Sequence, residues 1–356
     1  MSGMPRHDLC GKSKMRMKKN ILYFALAALL FCSCARIAQT GLNDANKRYI
    51  DAWVQVNHPG APQTALGSYI LEDVPGSGAL AGTAAQNGYV RLEYTYRNFS
   101  GSIIDACSEQ LAKQLGTYDP SHYYGPVIWS RGSGLLAPGF DDALADMRAG
   151  GTRTVLIPGW LLSTVNTYKT EKEYRDKVSG TSGIYELKLY DVIPDIKKWE
   201  TDSVGRYVAA NFPGKTVRDS LKYGFYYVRT GEPSSNIEFP ADTTIYMNYV
   251  LRLLNGNVIV TNVRDTATFY GIYSSRRTYE PTMIAWHGAD GSYKDIKFGT
   301  SSSAIDGFLF ALSNMHPHEK GTAVFYSGLG YGYRGSGDLI PSYSPLRFEL
   351  EIVDKP

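Results

Sequence analysis

The chain has 356 residues, a net charge of +3 and 43% hydrophobic residues, which is enough for a sizeable core and suggests two domains. Residues 1–33 hold six basic side chains and one acid, so the rest of the chain carries a net charge of −2. This balance excludes an extended basic surface, and with it nucleic acid as a partner.

The N-terminal segment has the parts of a secretory signal peptide. Lys18 and Lys19 precede the apolar run 21–31, and Ser33 places a small residue before Cys34. The eleven apolar residues rise only about 16 Å as a helix, about half of a bilayer's hydrocarbon core, so a spanning helix is not expected. The residues around Cys34 resemble the lipobox of bacterial lipoproteins. This resemblance implies a lipid on Cys34 that anchors the protein to a membrane of the bacterial cell envelope, with the outer membrane as the expected location; a plain secretory signal is the alternative.

Cysteine usage excludes a disulfide framework. Cys10 and Cys32 leave with the signal and Cys34 carries the lipid, so Cys107 remains by itself in the mature sequence. A single thiol cannot form an internal disulfide, and the fold must be held by its core. We interpret Cys107 as a packing residue rather than as a nucleophile.

The mature chain consists of two halves with the same order of predicted elements. Each half has an amphipathic stretch ending in Pro-Gly, two strands, a hairpin glycine, a Gly-Phe pair that opens a short helix, and an alternating closing strand. In the first half these are 47–60, 67–71, 90–94, Gly101, 139–147 and 184–189, and in the second 206–214, 223–228, 246–251, Gly256, 307–315 and 346–352. Tyr94 to Tyr249 and Gly101 to Gly256 share one offset of 155 residues, which indicates a tandem duplication.

A strand-rich unit with a single short helix favours the α+β class, with an antiparallel sheet wrapped around the helix in each half. The predicted organisation is a signal peptide, an N-terminal tether with an amphipathic helix, domain 1, a helical linker and domain 2. The corresponding ranges are 1–33, 34–64, 65–194, 195–218 and 219–356.

The second half carries motifs that resemble those of FKBP-type peptidyl-prolyl cis-trans isomerases. Residues 315–322, followed by Tyr331 and Gly332, match the family's "M…G…YG" segment without a gap. Residues 339–350 resemble its "IPP.s.L.F.vEL" ending. The resemblance extends over most of the mature chain and implies two FKBP-like domains. The lipid-anchored tandem further resembles FKBP-like lipoproteins of Bacteroidetes-type bacteria.

The family's activity, as the resemblance implies it, is isomerisation of X–Pro bonds in proline-containing segments of exported proteins. Rotation about such a bond faces a barrier of about 20 kcal/mol, because it breaks amide resonance. A dry aromatic pocket lowers this barrier by fitting the twisted amide better than either planar form. No cofactor, metal, acid, base or nucleophile is required. A non-catalytic module that binds a peptide or an envelope protein is the alternative.

In domain 1 the resemblance implies a pocket built from Tyr94 and Asp105 on the first strands, Ile104 as a wall, Phe140 as the floor and Tyr185 on the last strand. A buried structural hydrogen bond between Tyr94 and Asp105 is the alternative to a functional role. Ordinary packing of a sheet would also place aromatic residues at these positions.

In domain 2 the resemblance implies a corresponding pocket, which is built from residues of the predicted strands, of the short helix and of the segment that follows this helix. These residues are Tyr249, Phe308, Tyr331, Ile340 and Phe348.

Each domain departs from the family pattern at one polar position. In domain 1, Leu162 replaces the tyrosine that donates to the substrate carbonyl, and a polar insertion follows at 164–182. In domain 2, Val260 replaces the pocket aspartate. Because a donor to the carbonyl matters more for a twisted amide than a carboxylate behind the wall, domain 2 and its Tyr331 are the better candidate for activity.

Two further motifs have ordinary structural interpretations. His316 and His318 form one close pair without further ligands, which favours a helix-to-strand turn over a metal site. The glycines of 330–337 imitate a phosphate loop, but the pattern lies between predicted strands and no helix follows it.

Overall fold

The structure is a computed structural model that describes residues 41–82, 88–165, 167–215, 217–219, 223–240, 242–286, 296–299 and 304–356. The predicted signal peptide and Cys34 lie outside the described residues. Within these ranges no helix has both the length and the apolar character needed to cross a bilayer.

Domain 1 is built on a six-stranded antiparallel sheet in the order β1-β5-β6-β2-β3, with β4 pairing to β2. Its strands are β1 (Tyr69–Val74), β2 (Tyr89–Arg97), β3 (Ile103–Ala106), β4 (Val127–Ser130), β5 (Thr152–Ile157) and β6 (Gly183–Ile193), and its helices are α1 (Asp44–Asn57), α2 (Glu109–Leu115), α3 (Pro138–Leu144) and α4 (Glu171–Lys177).

Domain 2 is built on an eight-stranded antiparallel sheet in the order β12-β11-β9-β14-β13-β8-β7, with β10 pairing to β9. Its strands are β7 (Val217–Asp219), β8 (Phe225–Gly231), β9 (Thr243–Leu253), β10 (Val258–Thr261), β11 (Thr282–Trp286), β12 (Lys297–Phe298), β13 (Lys320–Phe325) and β14 (Leu346–Val353), and its helices are α5 (Ile196–Asn211), α6 (Arg264–Phe269) and α7 (Asp306–Leu312).

The two sheets share one strand order. The path β1-β5-β6-β2 of the first sheet corresponds to β8-β13-β14-β9 of the second, and the short strands β3 and β10 each pair with the long strand that precedes them. Tyr94 lies opposite Leu187, and Tyr249, 155 residues further on, lies opposite Leu350. The predicted α+β class, with two antiparallel sheets and few helices, is confirmed.

The Gly-Phe pair of each half brings a short helix close to the sheet. A Cβ added to Gly139 of α3 would lie 2.4 Å from Cγ2 of Ile157 on β5. A Cβ added to Gly307 of α7 would lie 2.4 Å from the ring of Phe325 on β13. Only a residue without a side chain allows this approach, which places the phenylalanine after each glycine against the sheet.

The two longer helices each pack on the sheet that follows them. Helix α1 buries Ile50 and Val54 in the core of domain 1. Helix α5 buries Val204 and Val208 against strands of the second sheet. The segment predicted as a helical linker therefore contains a helix that packs against domain 2.

Glu200 fastens α5 to the turn after β13. Its buried carboxylate accepts hydrogen bonds from the backbone N and the Oγ of Ser327, at 2.6 and 2.8 Å. Burial raises the pKa of Glu200 to about 7, although these hydrogen bonds oppose the change. Because the pKa is higher in the folded than in the unfolded protein, the stability linked to protonated Glu200 is complete below about pH 4.5 and is lost as the pH rises to about 7.

We therefore expect Glu200→Gln to raise the melting temperature at about pH 8 and to flatten its dependence on pH between about 5 and 8. The amide keeps an acceptor for the Ser327 N–H and carries no charge to desolvate. Thermal melts across this range measure the effect. Asp202→Asn, on the same helix and paired with Lys198, is the control that should keep the wild-type profile. A wild-type pH profile for Glu200→Gln would contradict the prediction.

Candidate functional site

The predicted aromatic residues of domain 1 meet in one cluster. Tyr94 of β2 lies 5.8 Å from Trp129 of β4, and Trp129 lies 4.8 Å from Phe140 of α3, between ring centroids. Phe140 in turn meets Tyr185 of β6 edge to face at 4.8 Å. All four side chains are half-buried, so each keeps a face that solvent or a ligand can reach. We call Tyr94, Trp129, Phe140 and Tyr185 the aromatic cluster.

Asp105 of β3 lies beside this cluster. The Tyr94 hydroxyl donates a 2.7 Å hydrogen bond to Oδ2 of Asp105. Asp105 is exposed, so the hydrogen bond that the sequence suggested for this pair is present but lies at the surface. The carboxylate lies on a short strand near the sheet's edge, which leaves it open to solvent.

The phenols of the cluster are held in their protonated form. Burial first, and then the hydrogen bond and charge of Asp105, raise the pKa of Tyr94. Burial, followed by the nearby Tyr96 and Asp105, raises the pKa of Tyr185. Both hydroxyls therefore remain donors over the whole physiological pH range.

The position of the missing donor in domain 1 is apolar. Leu162 ends a short 3₁₀ turn, Gly159–Leu161, and packs half-buried against the core of domain 1. The insertion that follows contains α4, whose first turn is closed by a capping box between Thr170 and Glu173. Leu162 therefore offers no hydroxyl at this position.

The predicted residues of domain 2 are more deeply buried than those of domain 1. Phe308 and Phe348 belong to the core, with ring centroids 5.2 Å apart, and Ile340 is buried with them. Tyr249 is half-buried and meets the ring of Phe298 at 5.6 Å. The aromatic floor expected in domain 2 is thus an extension of its core.

Tyr331 lies at the edge of this core and is 37% exposed. Burial of part of its ring raises the pKa of Tyr331. Burial, opposed by Arg277, also raises the pKa of Tyr249. Val260, in place of the pocket aspartate, packs half-buried on the core, and it offers no carboxylate to either phenol.

Cys107 occupies a structural position in domain 1. Its Sγ accepts a 3.0 Å hydrogen bond from the backbone N of Tyr94. In domain 2, Oδ1 of Asn262 accepts the equivalent hydrogen bond from the backbone N of Tyr249 at 2.8 Å, and Asn262 follows Cys107 by 155 residues, as Tyr249 follows Tyr94. Burial raises the pKa of the Cys107 thiol to about 11, which disfavours the nucleophilic thiolate.

A cleft of about 580 Å³ opens beside Tyr94 and Asp105. One wall is the first sheet with the exposed Ile104, the predicted wall residue, and another is the segment between α2 and β4. Domain 2 supplies residues of its loop 337–341. The backbone N of Tyr123 donates a 2.8 Å hydrogen bond to the carbonyl of Asp338, which joins the two walls.

His316 and His318 contact different carboxylates. His316 Nδ1 lies 3.0 Å from Glu319, whose carboxylate also accepts from the Tyr227 hydroxyl. His318 Nε2 lies 3.0 Å from Asp354. Among the residues that the structure describes, no group of three or more His, Cys, Asp or Glu side chains is arranged to hold a metal ion.

Sequence reasoning missed Trp129 and Phe298. Trp129 joins the aromatic cluster because β4 pairs with β2 and places it opposite Val90. Phe298 reaches Tyr249 from the two-residue strand β12. Neither residue lies in a recognisable motif, so only the strand pairing could have identified them.

Comparison with known proteins supports the resemblance to FKBP-type isomerases. No protein-family model matches the chain. A stretch of 70 residues is 36% identical to the short-type peptidyl-prolyl cis-trans isomerase of Methanocaldococcus jannaschii. This stretch is 20% of the present chain and 44% of that protein, so the match spans less than half of the relative's length. The resemblance to the FKBP-type isomerase family is thus supported by a sequence relative.

Several solved structures are similar to parts of the chain. A peptidyl-prolyl cis-trans isomerase of Pseudomonas syringae has 21% identity and a TM-score of 0.31, over 44% of this chain and 94% of that one. FkpA of Escherichia coli has 23% identity and a TM-score of 0.30, over 45% and 62%. The three FKBP domains of wheat FKBP73 have 15% identity and a TM-score of 0.29, over 81% and 93%.

Proposed function

We propose that the protein is a peptidyl-prolyl cis-trans isomerase that assists the folding of exported proteins. The observation that carries this proposal is the aromatic cluster of domain 1, which is half-exposed, lies beside the Tyr94–Asp105 hydrogen bond and adjoins an open cleft. The sequence relative, itself named a peptidyl-prolyl isomerase, supports the same activity.

The cluster has what the reaction needs. A prolyl ring can pack on the faces of Trp129 and Phe140, which removes water from the adjoining amide. Loss of hydration weakens the conjugation of the amide. A pocket that then binds the twisted amide better than the planar amide lowers the barrier of about 20 kcal/mol. The steps require only binding and desolvation, so no side chain has to exchange a proton with the substrate.

A donor to the substrate carbonyl completes each pocket from a different position. In domain 2 the donor is Tyr331, which has a partly exposed side chain at the edge of the core. In domain 1 we infer that Tyr185 takes this role in place of Leu162, since the other phenol of the aromatic cluster, Tyr94, already donates its hydroxyl hydrogen to Asp105. Phe348 occupies in domain 2 the strand position that Tyr185 occupies in domain 1. Tyr185 lies opposite Tyr96, and Phe348 lies opposite Leu251, which follows Tyr96 by 155 residues. The proposed donor hydroxyl therefore lies on β6 in domain 1 and between β13 and β14 in domain 2.

The second candidate function is a binding module without catalysis. The observation that favours it is the division of polar groups, with the exposed Asp105 in domain 1 and Tyr331 in domain 2. A protease-coupled assay with a proline peptide, performed on the full mature chain, separates the two functions. A rate above background supports the isomerase; peptide binding without any rate supports the binding module.

For the location, we propose that a lipid on Cys34 anchors the protein in the bacterial envelope. We expect Cys34→Ala to release it into the soluble fraction, because lipid attachment as a thioether needs this thiol. Each buried methylene contributes about 0.8 kcal/mol, so two or more acyl chains hold a protein firmly. Cell fractionation and labelling with an acyl-chain probe measure the change, with Cys32→Ala as the matched control. A Cys34→Ala protein that still carries label in the membrane pellet contradicts the proposal.

A further inference from the structure

We propose that the cleft beside Tyr94 and Asp105 is a composite site, with walls from both domains, that selects extended segments carrying Lys or Arg next to proline. The part of this inference that concerns the binding of proline rests on the proposed function. The preference for a basic neighbour rests on the cleft alone.

Both domains form the walls of this cleft. Asp338 and Pro341 of domain 2 line it together with Tyr123 and Tyr124 of domain 1. The hydrogen bond from the Tyr123 backbone to Asp338 fixes the two walls to each other. Ile340, between Asp338 and Pro341, is buried in the core of domain 2 and anchors the loop from behind. The cleft therefore exists only where the two domains are docked.

The charge of the cleft favours a cation. Asp105 and Asp338 both line it, and the Asp338 side chain is 82% exposed. Of the described residues that line the cleft, none is Lys or Arg, and His122 lies 4.0 Å from Asp338. Carboxylates in a concave site concentrate cations more strongly than the same groups on a flat surface.

Two basic side chains around the cleft pair with other acidic residues. Arg91, which influences Tyr123 from outside the cleft, pairs with Asp191 at 2.8 Å. Lys113, on the helix that borders the cleft, pairs with Glu109. Both cations are therefore paired with carboxylates other than Asp105 and Asp338. The rings of Tyr94 and Tyr124 add faces on which a cation can also lie.

The cleft also offers apolar surface for the rest of a segment. Ile104 and Leu115 line it and are 55% and 50% exposed. Apolar side chains that are this exposed gain stability when a ligand covers them. The volume of about 580 Å³ lies within the range of sites that enclose small ligands. A short extended segment fits these features, with its proline towards the aromatic cluster and its basic side chain towards the two carboxylates.

The test uses three fluorescent heptapeptides that differ only in the residue before proline, which is Lys, Leu or Glu. We expect the Lys peptide to bind the full mature chain about fivefold to tenfold more tightly than the Glu peptide in anisotropy titrations. Asp338→Asn should reduce this preference about twofold, and Asp105→Asn with Asp338→Asn should abolish it. Asp338→Asn keeps the backbone carbonyl that bonds to Tyr123, so the docking of the domains is preserved.

Glu238→Gln, an exposed acid outside the cleft, is the matched control and should keep the full preference. Equal binding of the three peptides, or a preference that survives in the double variant, would overturn the inference. Isomerisation rates on the same peptides keep the two proposals apart. A rate without charge preference overturns the composite site alone, whereas charge-selective binding without a rate supports the site and overturns the isomerase.

Discussion

Replacing Tyr185 and Tyr331 together by phenylalanine is expected to lower kcat/KM for proline isomerisation by about 5-fold to 150-fold. Each change removes one hydroxyl and leaves the ring in place, so the loss reports a hydrogen bond of about 1–3 kcal/mol to the substrate carbonyl. The protease-coupled assay on the full mature chain measures it. The double variant is needed because an intact site in one domain would hide the loss in the other.

The single variants then assign the activity to a domain. The sequence favours Tyr331 of domain 2, but the half-exposed aromatic cluster lies in domain 1, so Tyr185→Phe alone is expected to cause most of the loss. Val260→Asp should raise the rate of domain 2 if a carboxylate near Tyr249 assists binding. Tyr96→Phe is the control, because Tyr96 stacks on Tyr185 at 4.7 Å and loses the same group. A double variant with the wild-type rate would exclude both phenols as donors.

Gly307→Ala is expected to destabilise domain 2 by about 1–3 kcal/mol or more, because its new methyl group would overlap the buried ring of Phe325. The ring is enclosed by the core and cannot move away without displacing its neighbours. Chemical denaturation of the mature chain, followed by tryptophan fluorescence and circular dichroism, measures the change. Gly139→Ala should have a similar effect on domain 1, where Cγ2 of Ile157 occupies the space.

Gly205→Ala is the control, because it is expected to change the stability in the opposite direction. Gly205 lies within α5, and an added Cβ would lie 3.4 Å from the Tyr226 hydroxyl, an ordinary contact. Alanine in the middle of a helix is more stable than glycine by about 0.5–1 kcal/mol, so this variant should be slightly stabilised. Gly307→Ala with the stability of the wild type would show that α7 does not need a glycine to approach the sheet.

Local patterns determined the elements of this fold. The alternation of residues 184–189 and 346–352 lies within β6 and β14, because a period of two reports which face of a strand is buried. Gly101 and Gly256, predicted as hairpin residues, have φ angles of +84° and +97°, a conformation that favours glycine. These features depend on neighbours in sequence, so the sequence by itself was sufficient.

The site depended on contacts between distant residues, which only the tertiary structure decided. Trp129 enters the aromatic cluster through its register opposite Val90, and strand register is set by the whole sheet. Phe140 is half-buried and Phe308 is buried, although their Gly-Phe motifs predicted equivalent pockets, because burial depends on what packs over each sheet. The cleft requires a loop of domain 2 to meet the first sheet. Such a contact joins residues more than 200 positions apart, such as Tyr123 and Asp338, and no local pattern specifies it.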